Sequence, residues 1–279
     1  MQARLLPTLS ATVLLLTGCA AFHCTPCGRT QEHNASSLVS FLYPGDGKPP
    51  APQAPPQLGL PLRVGLAFLP DSHDGRPVLD DAHKQVLLER VQAQFQSRPF
   101  ISGITLIPDY YLTGTGGAAG LQGLQRLYSV DVIALISYDQ VAYNSDSPLS
   151  FGYLTILGAY VLKGTRNDVT TLVDLAVIDP ATHALVLRAG GIDMQHGSST
   201  YIDQQRESRA LRVASFDAAT ESMIGNFDVA LRDFATRVRE GRSDVRVVNA
   251  GGGGASDWLA IGLLLAALTL RSRITGEQA

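Results

Sequence analysis

The residues best suited to covalent chemistry stand together near the start of the chain. All three cysteines fall between Cys19 and Cys27, and a thiol can be acylated, oxidised or bound to a metal. Cys24 and Cys27 are spaced CxxC around Thr25 and Pro26. A redox pair of that spacing should open a helix inside a βαβ unit. Haem attachment needs a histidine after the second cysteine, where Gly28 stands instead. Zinc could draw on His23 and His33, but no regular ligand framework surrounds them. Three cysteines also exclude a four-cysteine zinc site and a disulfide scaffold. Cys24 and Cys27 are therefore expected to be a small local disulfide in an oxidising compartment, or idle thiols.

A second candidate is the run Gly114-Thr115-Gly116-Gly117-Ala118-Ala119-Gly120. Glycines ahead of a helix can let backbone N–H groups cradle a phosphate. Asp139 lies after the following strand, as the acidic residue of a dinucleotide site would. The glycine spacing is not GxGxxG, however, and the preceding strand carries Asp109, Tyr110 and Tyr111. A plain strand-to-helix loop is expected, with a nucleotide-binding or enzymatic domain as the alternative. His183 and His196 stand 13 residues apart without carboxylates at ligand spacing, and are expected at the surface. Asp131 and Asp139 bracket a strand and are expected to cap its loops. No GxSxG, HExxH or Walker sequence is present. The sequence thus points to no catalytic residue, no cofactor and no bound metal, and the chain is expected not to be an enzyme.

The cysteines sit behind a secretory layout. Arg4 is followed by the apolar run Leu5 to Leu16 and then by small residues. Twelve residues are too few to cross a bilayer as a helix, which takes about 20. Leu16-Thr17-Gly18-Cys19 resembles a bacterial lipobox. That resemblance implies a signal peptide over 1–18, cleavage before Cys19, and acylation of its thiol with palmitate or a similar chain. Ala20 stands where aspartate would signal inner-membrane retention, so delivery to the outer membrane is expected.

At the other end, Gly251, Gly252, Gly253 and Gly254 precede an apolar run from Trp258 to Leu270, closed by Arg271 and Arg273. Thirteen residues, or sixteen from Ala255, reach roughly 20–24 Å as a helix, against a hydrocarbon core of about 30 Å. Trp258 and the two arginines suit a short transmembrane helix over 255–279 with its basic end in the cytoplasm. Acyl chains already anchor a protein stably, so a second anchor is redundant unless it is removed. Glycines ahead of it break the helix and expose peptide bonds to a protease. The glycine run, short helix and Arg-Ser-Arg end resemble the GlyGly-CTERM sorting signal, which implies cleavage by rhombosortase, an intramembrane serine protease. With the lipobox, the chain resembles the rhombotarget lipoproteins. Ser36 to Pro44 and Tyr153 to Tyr160 are also similar to segments of that family. The alternative is a tail that stays in the membrane permanently.

With 22 basic and 25 acidic residues the net charge is -3, so no overall basic field argues for nucleic acid. Seven of the fifteen prolines fall between Pro44 and Pro61, and 19–61 is expected to be a lipidated, extended tether. The folded part is expected over 62–240. Arg63 to Leu69, Ile104 to Leu112 and Val132 to Ile136 read as strands. Leu79 to Phe95 and Leu121 to Tyr128 read as helices. Asn144 to Pro148 reads as a loop, and Leu149 to Leu162 as an apolar strand or an assembly surface. Thr170 to Ile178 and Ala184 to Arg188 read as a hairpin about Asp179-Pro180. Ser215 is expected to cap a last helix with apolar positions at 216, 219, 223, 227, 231, 234 and 238. A linker over 241–254 follows. The order β-α-β-α-β-β-β-α predicts an α/β fold with a mixed sheet, similar to envelope lipoprotein domains of the curli-secretion type.

Overall fold

A computed structural model of the chain describes residues 30–45, 55–71, 79–114, 116–147, 149 and 160–249. Cys19, Cys24, Cys27, Gly251 to Gly254 and the tail 255–279 lie outside the described residues, as does most of the apolar stretch after Leu149. Among the described residues, no helix is long and apolar enough to cross a membrane.

In chain order the elements are β1 (Thr30–Ala35), α1 (Leu38–Leu42), β2 (Gln57–Leu60), β3 (Leu62–Phe68), α2 (Asp81–Phe95) and β4 (Ile101–Leu106). A 3₁₀ turn (Asp109–Tyr111) leads to α3 (Gly117–Tyr128) and β5 (Val132–Asp146). Then come β6 (Thr165–Ile178), β7 (Leu185–Ser199), α4 (Gln204–Arg239) and β8 (Arg246–Asn249). One sheet has the order β4-β3-β5-β6-β7, with β1 added beside β5; β2 and β8 form a separate pair. Strand β3 is parallel to both neighbours, with Val64 opposite Ile104 and Val132. Strands β6 and β7 are joined by only six residues and must be antiparallel, so the sheet is mixed, as the α/β reading expected.

The described residues group into two compact units. The larger comprises 33–141, 169–195 and 209–249 in its described parts. In it, alternation along the strands serves two cores. Leu66, Phe68, Ala134 and Ile136 point to a cluster with Leu87, Val91 and Phe95 of α2 and Phe216, Met223 and Phe227 of α4. Ala67, Leu69, Ile133 and Leu135 point to a second cluster with Leu121 and Leu124 of α3, against which Leu38, Phe41 and Leu42 of α1 pack. Burial on both faces accounts for the near-continuous apolar runs of β3 and β5. Helix α2 starts where Asp80 Oδ1 accepts the His83 N–H at 2.8 Å, with Asp81 in its first turn. Phe95 meets Phe227 edge-on at 5.0 Å, and Arg98 reaches Asp228 at 2.6 Å. At Gly191 an added Cβ would lie 2.2 Å from Ala219 O and Met223 N. Only glycine lets α4 cross β7 so closely.

The smaller unit takes in 30–32, 142–147, 149, 160–168 and 196–208. Among its described residues, the buried side chains are mostly polar. Thr165 Oγ1 donates to Asp146 Oδ1 at 2.9 Å, and Asn167 Nδ2 donates to Ser199 Oγ at 3.0 Å, with Thr165, Asn167 and Ser199 all buried. The next rung, Ser147 N–H to Gly164 O at 2.7 Å, makes β5 and β6 antiparallel here.

Several local expectations are corrected. Strand β4 ends at Leu106, because Pro108 withholds a ladder N–H and a 3₁₀ turn follows over Asp109–Tyr111. Strand β5 runs on to Asp146, through most of the predicted loop. Ser215 caps nothing: it is fully buried inside α4, where its hydroxyl donates to Thr171 Oγ1 at 2.8 Å. Gln140 Nε2 donates to Thr171 Oγ1 and to Arg212 O. These polar contacts carry the helix upstream of its apolar stripe. Strand β1, helix α1 and strand β2 fall inside the stretch read as a tether, and β8 falls inside the linker. The β2–β8 pair is parallel, with Gln57 opposite Arg246 and Leu60 opposite Asn249.

Candidate functional site

The glycine run lies at the carboxyl ends of the parallel strands. Gly114 (φ 75°) and Gly117 (φ 84°) take left-handed conformations that favour glycine. Gly116 is the N-cap of α3 and supplies no side-chain hydrogen bond. Its φ is ordinary, but a Cβ there would lie 2.8 Å from the carbonyl oxygen of Phe41. A Cβ on Gly117 would meet Pro44 at 3.4 Å and Leu42 O at 3.5 Å. The glycines thus admit the end of α1. Carbonyl oxygens of Phe41 and Leu42 come up to the N-terminus of α3, where unpaired N–H groups favour negative partial charge. Phosphate oxygens would seek the same place. Asp139, the proposed ribose ligand, is paired with His33 Nε2 at 2.8 Å.

The other singled-out residues are occupied locally. Asp131 ties the starts of β3 and β5 together: it accepts the Arg63 N–H at 2.8 Å and two guanidinium bonds at 3.2 and 2.6 Å. Burial alone would raise its pKa; the hydrogen bonds and charge of Arg63 outweigh that and hold it below the usual carboxylate range. His183 sits at φ 59° in the hairpin turn, where its N–H donates to Asp179 O at 2.8 Å. It is not simply a surface residue, since its Nε2 is buried. His196 Nδ1 pairs with Asp168 at 2.8 Å, largely exposed. Among the described residues no group of three or more His, Cys, Asp or Glu is placed to hold a metal. Tyr138 is buried, and its hydroxyl donates to Asp71 Oδ1 at 2.6 Å. Desolvation first, then the Asp71 carboxylate, raise its pKa, so it stays a protonated donor.

At the amino ends of the same strands the larger unit holds a cavity of about 140 Å³. Leu62, Ile101 and Val132, the first residues of β3, β4 and β5, line it with Phe234 of α4. Leu58 and Val247 of the β2–β8 pair complete one wall. Every lining side chain is apolar. Val64, Ile104, Val177, Val186, Leu231 and Phe234 are only half-buried, although they face the core. A groove of about 260 Å³ lies alongside and shares Val186 and Leu187 with the cavity. It is bordered by Arg188, Asp233 and Arg237. Arg188 is already bound to Asp174 at 2.8 and 2.9 Å.

Sequence reasoning missed both the cavity and the plug that α1 forms over the glycine run. The only signal for the plug was the spacing of Leu38, Phe41 and Leu42, which suits one face of a helix. The cavity left no signal, because missing volume between elements has no residue of its own.

No family model matches the chain, and no curated protein sequence matches it. Among solved structures, it is similar at 8% identity to the PelC dodecamer from Paraburkholderia phytofirmans. The TM-score is 0.25, covering 69% of this chain and 99% of that one. It is similar, also at 8% identity, to a neuraminyllactose-binding hemagglutinin homolog from Helicobacter pylori, with a TM-score of 0.32 over 70% of this chain and 97% of that one. Overlaps this loose carry neither fold detail nor function to the present chain.

Proposed function

We propose that this chain is a bacterial envelope lipoprotein, acylated at Cys19 and cut within Gly251 to Gly254 by a rhombosortase. The proposal includes transit through the inner membrane to the outer membrane, and a domain of the curli-secretion type that acts by binding or self-assembly. The observation that carries it is the pairing of a lipobox, Leu16 to Cys19, with a glycine run and short basic-ended apolar tail on one chain. The element boundaries suit both cuts. Strand β1 begins at Thr30, beyond Cys19, and β8 ends at Asn249, short of Gly251. Either cut would leave every described element whole. The glycine run at 114–120 lends a nucleotide-binding reading no support, since the approach of Phe41 O accounts for Gly116 and a left-handed φ for Gly117.

Mass spectrometry of both termini, on protein taken from its native envelope, tests the proposal. The expected product starts at an acylated Cys19 and ends between Gly251 and Gly254. A mature envelope protein that keeps Ala279 would refute the processing.

A further inference from the structure

The geometry points to a binding site for a medium-chain fatty acid, its aliphatic chain in the cavity between β3–β5 and α4 and its carboxylate in the adjoining groove at Arg237. This goes beyond the lipoprotein reading and holds however the two termini are processed.

Protein interiors are packed like organic crystals, and voids larger than a water molecule are few. A partly open apolar cavity of about 140 Å³ is therefore a feature to be explained. Water does not explain it, because a buried water needs two to four polar partners and the lining offers none. Apolar matter of matching size does. A cavity of about 150 Å³ with a comparable lining takes up benzene, so this one has room for about six carbons of a chain. The half-buried Val64, Ile104, Val177 and Leu231 would be covered by it. A whole helix, about 10 Å across, is far too wide for it.

The neighbouring groove supplies the polar end. Because it shares Val186 and Leu187 with the cavity, a molecule lying past those two residues has its chain among leucines and phenylalanines and its head among charges. The groove is bordered by two guanidiniums, Arg188 and Arg237, and by the carboxylate of Asp233. Arg188 is held by Asp174, while Arg237 makes no ion pair among the described residues. Arg237 is thus the group there left to take an anionic head, and a carboxylate matches the fork of an arginine.

The test uses the full chain in its native membranes, treated with an octanoate analogue bearing a diazirine at its chain end. Photolysis and peptide mapping should place the label on peptides containing Val186 or Phe234, with free octanoate competing. Ala235→Leu, which fills the cavity from α4, should cut labelling about tenfold while the melting midpoint holds or rises. Val177→Phe fills it from the sheet and serves if the first variant folds poorly. Arg237→Gln should weaken competition by octanoate about fivefold and leave competition by octanol unchanged. Label outside these peptides, or label indifferent to a folded filling variant, overturns the site. Equal loss for octanoate and octanol in Arg237→Gln overturns the role of Arg237. Label seen only after Cys19→Ala would assign the cavity to the chain's own acyl group and overturn the proposal.

Discussion

The three parallel strands β3, β4 and β5 present two ends, and the chain treats them in opposite ways. At the carboxyl end, where open α/β sheets commonly take their ligands, backbone from α1 closes in on Gly116 until no side chain fits, and Gly117 beside it is left-handed. At the amino end, where nothing in the strand order calls for a site, an apolar cavity remains between Leu62, Val132 and Phe234. A glycine-rich loop therefore marks where the protein's own backbone arrives. The capacity to receive another molecule lies at the opposite edge, behind leucine, valine and phenylalanine. Helix α4 repeats the contrast along its own length, pressed backbone to backbone on β7 at Gly191 and lining the cavity at Phe234.

The largest perturbation should come where packing is tightest. Gly191→Ala puts a Cβ into the backbone of α4 at 2.2 Å and should cost about 3 kcal/mol or more, seen as a lower urea midpoint. A midpoint within error of the parent would mean that the helix stands off the strand. Gly116→Ala should cost about 2 kcal/mol through Phe41 O at 2.8 Å. Because φ at Gly116 is ordinary, truncating Phe41 should not relieve it, since the clash is with backbone. The filled and empty ends then part company, for Ala235→Leu should stabilise the chain by about 1 kcal/mol in the same denaturation measurement. A clear loss would mean the cavity has no room. The smallest effect belongs to the strand starts. Asp131→Asn removes the carboxylate held by Arg63 and should cost about 1 kcal/mol near neutrality, the pair being partly exposed. Asp131 is more acidic folded than unfolded, so its contribution is full above the ordinary carboxylate pKa. It is lost as pH falls through the lower, folded value. Parent and variant should converge in acid melts.

Much of the framework was legible because its signals are local. β3 declared itself by a continuous apolar run ended by Pro70, and α2 by Asp80, Asp81 and the spacing from Leu87 to Phe95. The β6–β7 hairpin showed in the turn residues after Ile178. The elements missed depend on distant partners. Strand β1 is exposed and polar at Thr30 to Glu32 and is defined by its pairing with β5. Strand β2 sits among prolines and meets β8, which is far away in sequence. The first turns of α4 have Arg206, Glu207 and Arg209 rather than an apolar stripe, and Thr171 on β6 supplies what a periodicity cannot register. Gly116 was noticed for its type, but its reason, an oxygen of Phe41, could only be read in three dimensions.

The pairing of β2 with β8 has a mechanical side. The lead into Gln57 comes from β1 and α1, which are themselves held in the fold, and the lead past Asn249 runs on to Gly251. Parallel strands drawn apart by tension on those two outward leads are loaded at opposite ends, along their axes. The rungs from Gln57–Arg246 to Leu60–Asn249 then share the strain in shear instead of opening singly like a zip. Tension reaching the fold through those two leads would be borne along the length of this short ribbon.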